Sequence, residues 1–282
     1  MIDLKGRTVA ITGAASGLGM GMAKRCHKLG AKLALADIEA PALAALEEEL
    51  KAMGADFFTM VMDVSKYEDM QAFADKTFAT YGEVALFFNN AGVEISGCVW
   101  ELSIKDWQWV YGVNVFGVIH GIKCFVPRMI KQEKESIIIN TASMAGLISG
   151  SFSPIYLSGK HAVVTITESL ELQLQEKKSK VKAFVFCPGY VKTRLHESHR
   201  NRPPELQNDP NDPYYQSEDY KKKQGMMQYA VPHGIELEQA IDMLFEALEK
   251  DQFYAQTTSQ ARPRIEQRFR NILENKRPQF GG

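Results

Sequence analysis

A charge excess, paired cysteines and a histidine-rich cluster are all missing from this 282-residue sequence. Its 33 Lys and Arg balance 34 Asp and Glu to a net charge of -1, so it has no general field to draw in a polyanion. That excludes the bulk electrostatic route to nucleic acid and favours a small-molecule partner. The four cysteines, Cys26, Cys98, Cys124 and Cys187, have no Cys-x-x-Cys spacing and read as reduced core thiols, not as a disulfide frame or zinc site. His196 and His199 have no carboxylate or thiol at matching spacing and read as solvated loop residues, so no metal is expected. No stretch reads as an apolar run long enough to cross a bilayer. The start, Met1-Ile2-Asp3-Leu4-Lys5-Gly6, carries no charged-then-apolar leader. The expectation is a cytoplasmic protein without a membrane partner. Internal repeats and low-complexity segments are absent too.

What is present is alternation. Strand-like runs at Arg7 to Thr12, Lys32 to Asp37, Asp56 to Met62, Val84 to Phe88, Ile137 to Ala142 and Val181 to Cys187 are separated by helical stretches. This is the pattern of a parallel sheet covered on both faces. The helical stretches run from the glycine turn to Leu29, Pro41 to Met53, Lys66 to Tyr81, Ile104 to about Ile130, and Pro154 to about Lys177, with Pro127 expected to bend the end of the fourth. Glu236 to Lys250, Gln252 to Ala255 and Arg262 to Lys276 read as helix, strand and helix. Between them, residues 194–234 concentrate prolines, charges and aromatics, a composition that suits a mobile lid inserted in one domain spanning 1–282.

Thr12-Gly13-Ala14-Ala15-Ser16-Gly17-Leu18-Gly19 follows a strand and opens a helix. In that context glycines let a dinucleotide pyrophosphate approach backbone amides at the positive helix end. A tight turn with packing glycines is the plainer alternative. Asp37, at the end of the second strand, stands where a carboxylate accepts hydrogen bonds from an adenosine ribose and repels a phosphate on it. Neither Ser16 nor Ile38 supplies a cation to receive such a phosphate, which argues for NAD over NADP. Asp63-Val64 either meets the adenine amino group or caps the helix near Lys66.

The stretch from Ser143 to Lys160 carries the chemistry. Tyr156 and Lys160, four apart on a helix, project from one face, so the ammonium is expected to favour the phenolate. Free tyrosine, with a pKa of about 10, needs such help near neutral pH. Ser143 ends an apolar strand and is placed to hold a substrate oxygen.

Taken in order, the glycine turn, Asp37, Asp63-Val64, Asn89-Asn90-Ala91-Gly92, Asn114, Ser143, Tyr156, Lys160 and Pro188-Gly189 with Thr193 resemble the short-chain dehydrogenase/reductase family from Lys5 to about Thr193. The resemblance implies a Rossmann-type, doubly wound seven-stranded parallel sheet and an NAD-dependent oxidoreductase. It makes Tyr156 the general acid or base and Ser143 the group that positions and polarises the substrate oxygen. Lys160 lowers the tyrosine pKa and holds the nicotinamide ribose, and Asn114 holds a water linking Lys160 to solvent. Asn90, Ala91 and Gly92 line the cofactor's ribose side, while Val191 and Thr193 grip the carboxamide. Glu94, Ala145, Phe152, Tyr190 and Leu195 are substrate candidates, beside Ile95, Ser96, Leu147, Ile148, His196, Tyr214, Tyr215, Met226 and Met227. They suit a bulky, moderately hydrophobic secondary alcohol or ketone, as in members acting on aryl or steroid-like alcohols. For Glu94, substrate contact and a solvent-facing position stay equally open. The resemblance also implies two-fold pairing into homodimers or homotetramers through the 104–130 and 154–177 helices. A non-catalytic nucleotide sensor and an enzyme working in the reductive direction are the competing readings.

Overall fold

Seven runs rich in apolar residues form one parallel sheet in the order β3-β2-β1-β4-β5-β6-β7. In this computed structural model, residues 2–279 are described. Met1 and residues 280–282 of the expected domain lie outside the described residues. Along the chain come β1 (Thr8–Thr12), α1 (Gly17–Lys28), β2 (Lys32–Asp37), α2 (Ala40–Ala52), β3 (Phe57–Val61), α3 (Tyr67–Tyr81) and β4 (Leu86–Asn89). Then follow α4 (Ile104–Tyr111), α5 (Gly117–Lys131), β5 (Ser136–Thr141), α6 (Pro154–Glu176) and β6 (Val181–Cys187). Last are α7 (Pro213–Gln216), α8 (Glu218–Ala230), α9 (Leu237–Glu249), β7 (Tyr254–Gln256) and α10 (Arg262–Leu273).

Side chains alternate across each strand, so each strand feeds two cores. Val9, Ile11, Leu33, Leu35 and Phe88 pack with Met22, Leu46, Leu50, Leu244 and Phe245 of α1, α2 and α9 on one face. Ala10, Ala34, Phe87 and Ile138 pack with Phe73, Phe125, Met129 and Leu170 of α3, α5 and α6 on the other. Phe87 and Phe125 stack with ring centroids 4.0 Å apart. The strand order reverses between β1 and β4, and the crevice at the carboxyl ends there is where open α/β sheets take ligands.

The long helix expected over 104–130 is broken by one wide turn, Gly112–Phe116, in which the Gly117 amide donates to the Gly112 carbonyl. Such a π-turn commonly marks a functional position, and this one carries Asn114. The helix continues through Pro127 to Lys131. The expectation of no membrane-length run needs correcting: residues Ile104–Lys131 are long and apolar enough by length and composition to cross a bilayer. Among the described residues this is the one such helix, and 56% of its apolar window is buried inside the protein, which is how a core helix meets the same test.

The 194–234 segment has structure of its own. Short 3-10 turns at Leu195–Asn201 and Pro204–Leu206 precede α7 and α8. Arg202 forms an ion pair with Asp106 at 2.6 Å, and neither side chain is appreciably exposed. Asp106 also accepts from Ser103 N at 2.9 Å, Asn208 Nδ2 at 2.9 Å and Tyr215 Oη. The segment is therefore fastened to the start of α4.

Candidate active site

The glycine turn lies at one end of a cavity of 820 Å³. Gly13 and Gly17 adopt φ +66° and +50°, a region that side-chained residues avoid. A Cβ on Gly13 would lie 2.8 Å from Ala91 Cα, and one on Gly19 only 2.0 Å from the Gly13 carbonyl oxygen. Gly19 thus packs α1 against the turn and does not itself line the cavity. Gly13, Ser16, Gly17 and Leu18 do. Ser16 precedes α1 in extended conformation with no side-chain cap, so the first amides of a twelve-residue helix are left to face the cavity.

Asp37 closes the same end. Its carboxylate accepts from Ala15 N at 2.8 Å and Glu39 N at 2.9 Å. Burial raises its pKa, with both amides opposing. Ile38, Asp63 and Val64 line the wall beside it. Asp63 Oδ1 accepts from Ser65 N at 2.9 Å and Ser65 Oγ at 2.7 Å. It does not cap α3, whose first turn follows Lys66 without a side-chain cap. Asn90 bridges β1 and β5 by donating to Thr12 O at 3.1 Å and accepting from Thr141 Oγ1 at 3.2 Å. Ala91, Gly92, Pro188, Gly189, Val191 and Thr193 complete this part of the wall.

At the other end the structure brings Ser143, Tyr156 and Lys160 together. Ser143 follows β5, and its Oγ accepts from Ala145 N at 3.1 Å and donates to Pro188 O at 3.3 Å. Tyr156 and Lys160 stand one turn apart on α6, with Lys160 Nζ 5.5 Å from the Tyr156 ring centroid and donating to Thr141 O at 2.8 Å. Asn114 Oδ1 accepts from Val93 N and its Nδ2 donates to Val93 O, both at 2.8 Å. Asn114 sits behind the cavity wall. A Cβ on Gly92 would meet Asn114 Oδ1 and Lys160 Nζ at 3.4 Å each, so only a glycine's width separates them.

The electrostatics differ from the sequence expectation. Burial dominates Tyr156 and raises its pKa, and the group opposing this is the Ser143 hydroxyl, with Glu94 adding to the rise. Burial lowers Lys160 to about 8. Burial of the phenol therefore outweighs the neighbouring ammonium, because desolvation works against both charged forms.

Of the substrate candidates, Ala145, Phe152, Tyr190 and Leu195 line the same cavity as Tyr156, with Ile148 and Met227. Glu94 does not. It is buried, its amide donates to Ser198 Oγ at 3.1 Å, and its Oε1 accepts from Ser96 Oγ at 2.6 Å and Ser153 Oγ at 2.8 Å; burial raises its pKa. It faces neither bulk solvent nor the main cavity, but borders a second one of 560 Å³ together with His196, His199 and Tyr215. His196 is not the solvated residue expected, since its Nδ1 is buried without a hydrogen-bond partner. Tyr214 turns away to accept from Cys98 N, and Met226 is exposed. No group of metal-ligating side chains occurs among the described residues.

The sequence reading missed the wall made by Thr257, Thr258, Gln260 and Arg264, and two cations, Arg194 and Arg200, that line the same cavity. The Gly189 amide donating to Thr257 Oγ1 at 2.9 Å shows that the turn after β7 folds back beside Pro188. No local signal announces it.

Residues 7–204 match the family model for short chain dehydrogenase. The chain belongs to the short chain dehydrogenase family. Among relatives of this dehydrogenase is a "CLA biosynthesis dehydrogenase/reductase" of Lactiplantibacillus plantarum, 34% identical over 278 residues, covering 99% of this chain and 97% of that one. Another is a 1-deoxy-11-beta-hydroxypentalenate dehydrogenase of Streptomyces avermitilis, 28% identical, with 96% and 92% covered. A solved structure of a short chain dehydrogenase/reductase from Burkholderia phymatum in complex with NAD superposes with a TM-score of 0.96 at 36% identity, over 100% of this chain and 99% of the other.

Proposed function

We propose that the protein is an NAD-dependent dehydrogenase that transfers a hydride between nicotinamide and a bulky, moderately hydrophobic secondary alcohol or its ketone. The observation that carries this is the single cavity holding the glycine turn and Asp37 at one end and Ser143, Tyr156 and Lys160 at the other. The residues fit the dinucleotide: the turn is closed to any Cβ at Gly13 and Gly19, a helix start faces the space, and Asp37 offers a carboxylate beside it. The NAD complex of the Burkholderia phymatum relative supports the same cofactor.

When bound, nicotinamide supplies the hydride acceptor or donor. Ser143 Oγ orients the substrate oxygen, and Tyr156 takes that oxygen's proton as the phenolate in oxidation or gives one as the phenol in reduction. Lys160, fixed on Thr141 O, sets a positive charge at the level of the reacting groups. The apolar wall of Ala145, Ile148, Phe152, Leu195 and Met227 excludes water around the developing alkoxide, where preorganised donors gain most. It also supports a bulky apolar substrate, in keeping with the hydroxypentalenate named for the Streptomyces avermitilis relative.

The test is Tyr156→Phe. NAD titration should give an affinity within about twofold of wild type, while NADH formation over a panel of secondary alcohols drops roughly 10²–10⁴-fold. Near-normal turnover would remove Tyr156 as the acid or base. A second reading, ketone reduction as the working direction, draws on the raised pKa of Tyr156, because a phenol kept neutral is ready to donate. Two-fold pairing through α4, α5 and α6 is supported by the exposed Phe116 and Leu172 there, and sizing chromatography tests it.

A further inference from the structure

The ribose end of the cavity holds more charge than Asp37. Arg194 and Arg200, from the Leu195–Asn201 turn and the residue before it, line the same cavity as Asp37 and Ile38. Both point at one carboxylate. Arg200 Nε lies 3.0 Å from Glu39 Oε2, with the two side chains only 20% and 21% exposed. Arg194 Nη1 lies 3.4 Å from Glu39 Oε1, and its Nε lies 2.7 Å from Glu197 Oε2. The Glu39 amide meanwhile donates to Asp37 Oδ1 at 2.9 Å, so the residue that holds the arginines is tied directly to the residue that would meet the ribose. Arg200 Nη1 donates to the Arg194 and Glu197 carbonyls at 3.0 and 3.1 Å, which keeps its guanidinium in place without Glu39.

An arginine beside an adenosine ribose is the ordinary means of accepting a 2′-phosphate. Here two arginines are present, and a carboxylate engages both. We propose that Glu39 is a second acidic determinant of dinucleotide choice: by engaging Arg200 and Arg194 it withholds from a ribose phosphate the two cations that line the cavity with Asp37. Asp37 repels the phosphate, and Glu39 denies it a partner. This rests on the dinucleotide reading above and extends it to a residue whose own side chain need not touch the cofactor.

The experiment is calorimetric titration of the purified protein with NAD+ and NADP+ in the absence of any alcohol. Wild type should prefer NAD+. Glu39→Gln, which keeps shape and removes charge, should narrow the NADP+/NAD+ dissociation-constant ratio about tenfold or more, chiefly through NADP+. Glu39→Gln/Arg200→Ala should lose part of that gain, and Glu39→Gln/Arg200→Ala/Arg194→Ala should restore the wild-type ratio. In an Asp37→Asn background, Glu39→Gln should add its own factor to the gain. The NADP+ affinity of Glu39→Gln should also fall more steeply with added salt than its NAD+ affinity. A merely structural role for Glu39 would weaken both dinucleotides alike, leave the ratio unchanged, and overturn the inference. Wild type that binds neither dinucleotide overturns the dinucleotide reading and this one together. Wild type that binds NAD+ normally, with no change of ratio in Glu39→Gln, overturns this one alone.

Discussion

Arg202→Met is the perturbation that says most about the 194–234 segment. Arg202 and Asp106 pair at 2.6 Å with side chains 6% and 0% exposed. Arg202 also donates through Nε to Leu206 O at 2.6 Å and through Nη2 to Asn208 Oδ1 at 3.1 Å, and its guanidinium lies 5.2 Å from the Trp109 ring centroid. Methionine keeps the apolar contact with Trp109 but leaves the Asp106 carboxylate buried without its cation. Removing one partner of a buried pair costs about 3–5 kcal/mol. Three neutral donors, from Ser103, Asn208 and Tyr215, stay on Asp106, so the lower end of that range applies. The sheet does not depend on this contact, so the loss should fall on the segment by local opening, not on global unfolding. The expected result is a large rise in cleavage between residues 202 and 216 under limited proteolysis, a higher KM for the alcohol, and a melting temperature lowered by only a few degrees. Unchanged proteolysis with an unchanged KM would show that the ion pair does not fasten the segment, and the reasoning would fail.

Lys160→Met should stabilise the fold at neutral pH while ending turnover. The folded-state pKa is lowered to about 8 against about 10.4 for a free lysine, so the unfolded chain binds more protons between those values and wild-type stability rises with pH through that window. The gap of roughly 2.5 units corresponds to about 3 kcal/mol at pH 7, less the lost bond to Thr141 O, and urea unfolding at pH 7 and pH 10 should show the variant's advantage shrinking. Gly19→Ala places a Cβ 2.0 Å from a backbone carbonyl. It should abolish dinucleotide binding by calorimetry, whereas Gly225→Ala in α8, where a Cβ meets nothing within 4 Å, should stabilise by about 0.5–1 kcal/mol.

The sheet was legible because a buried parallel strand is a short unbroken apolar run between turn residues. Ile137, Ile138 and Ile139, and Val181 to Cys187, fall where expected to within a residue or two. The proximity of the proposed catalytic groups was legible from local geometry: Ser143 lies just past a strand end and Tyr156 and Lys160 on one helix face. What the sequence hid is set by contacts between distant residues. Glu39 meets Arg200 across 161 positions, and Glu94 is buried by Ser153 across 59. No periodicity reports either. The direction of the Tyr156 shift was missed because helical spacing gives proximity to a charge but not depth of burial, and depth decides here.

That depth has a consequence for how the site is charged. Lys160 is 3% exposed and Tyr156 9%, yet the shift of Lys160 has only two sources, burial and Cys187. Cys187 is itself pushed up to about 12 by burial, so at neutral pH it is a thiol and gives the ammonium no counter-charge. The groups fixing the pair are neutral: Thr141 O for Lys160, the Ser143 hydroxyl for Tyr156, and Val93 for the Asn114 amide beside them. A carboxylate next to Lys160 would offset part of the ammonium's desolvation, but its field would oppose the ammonium's at the oxygen of a bound alcohol. In the proposed reaction an ammonium without a carboxylate partner keeps that field available to an alkoxide, and the burial of that charge is the cost that Lys160→Met should recover.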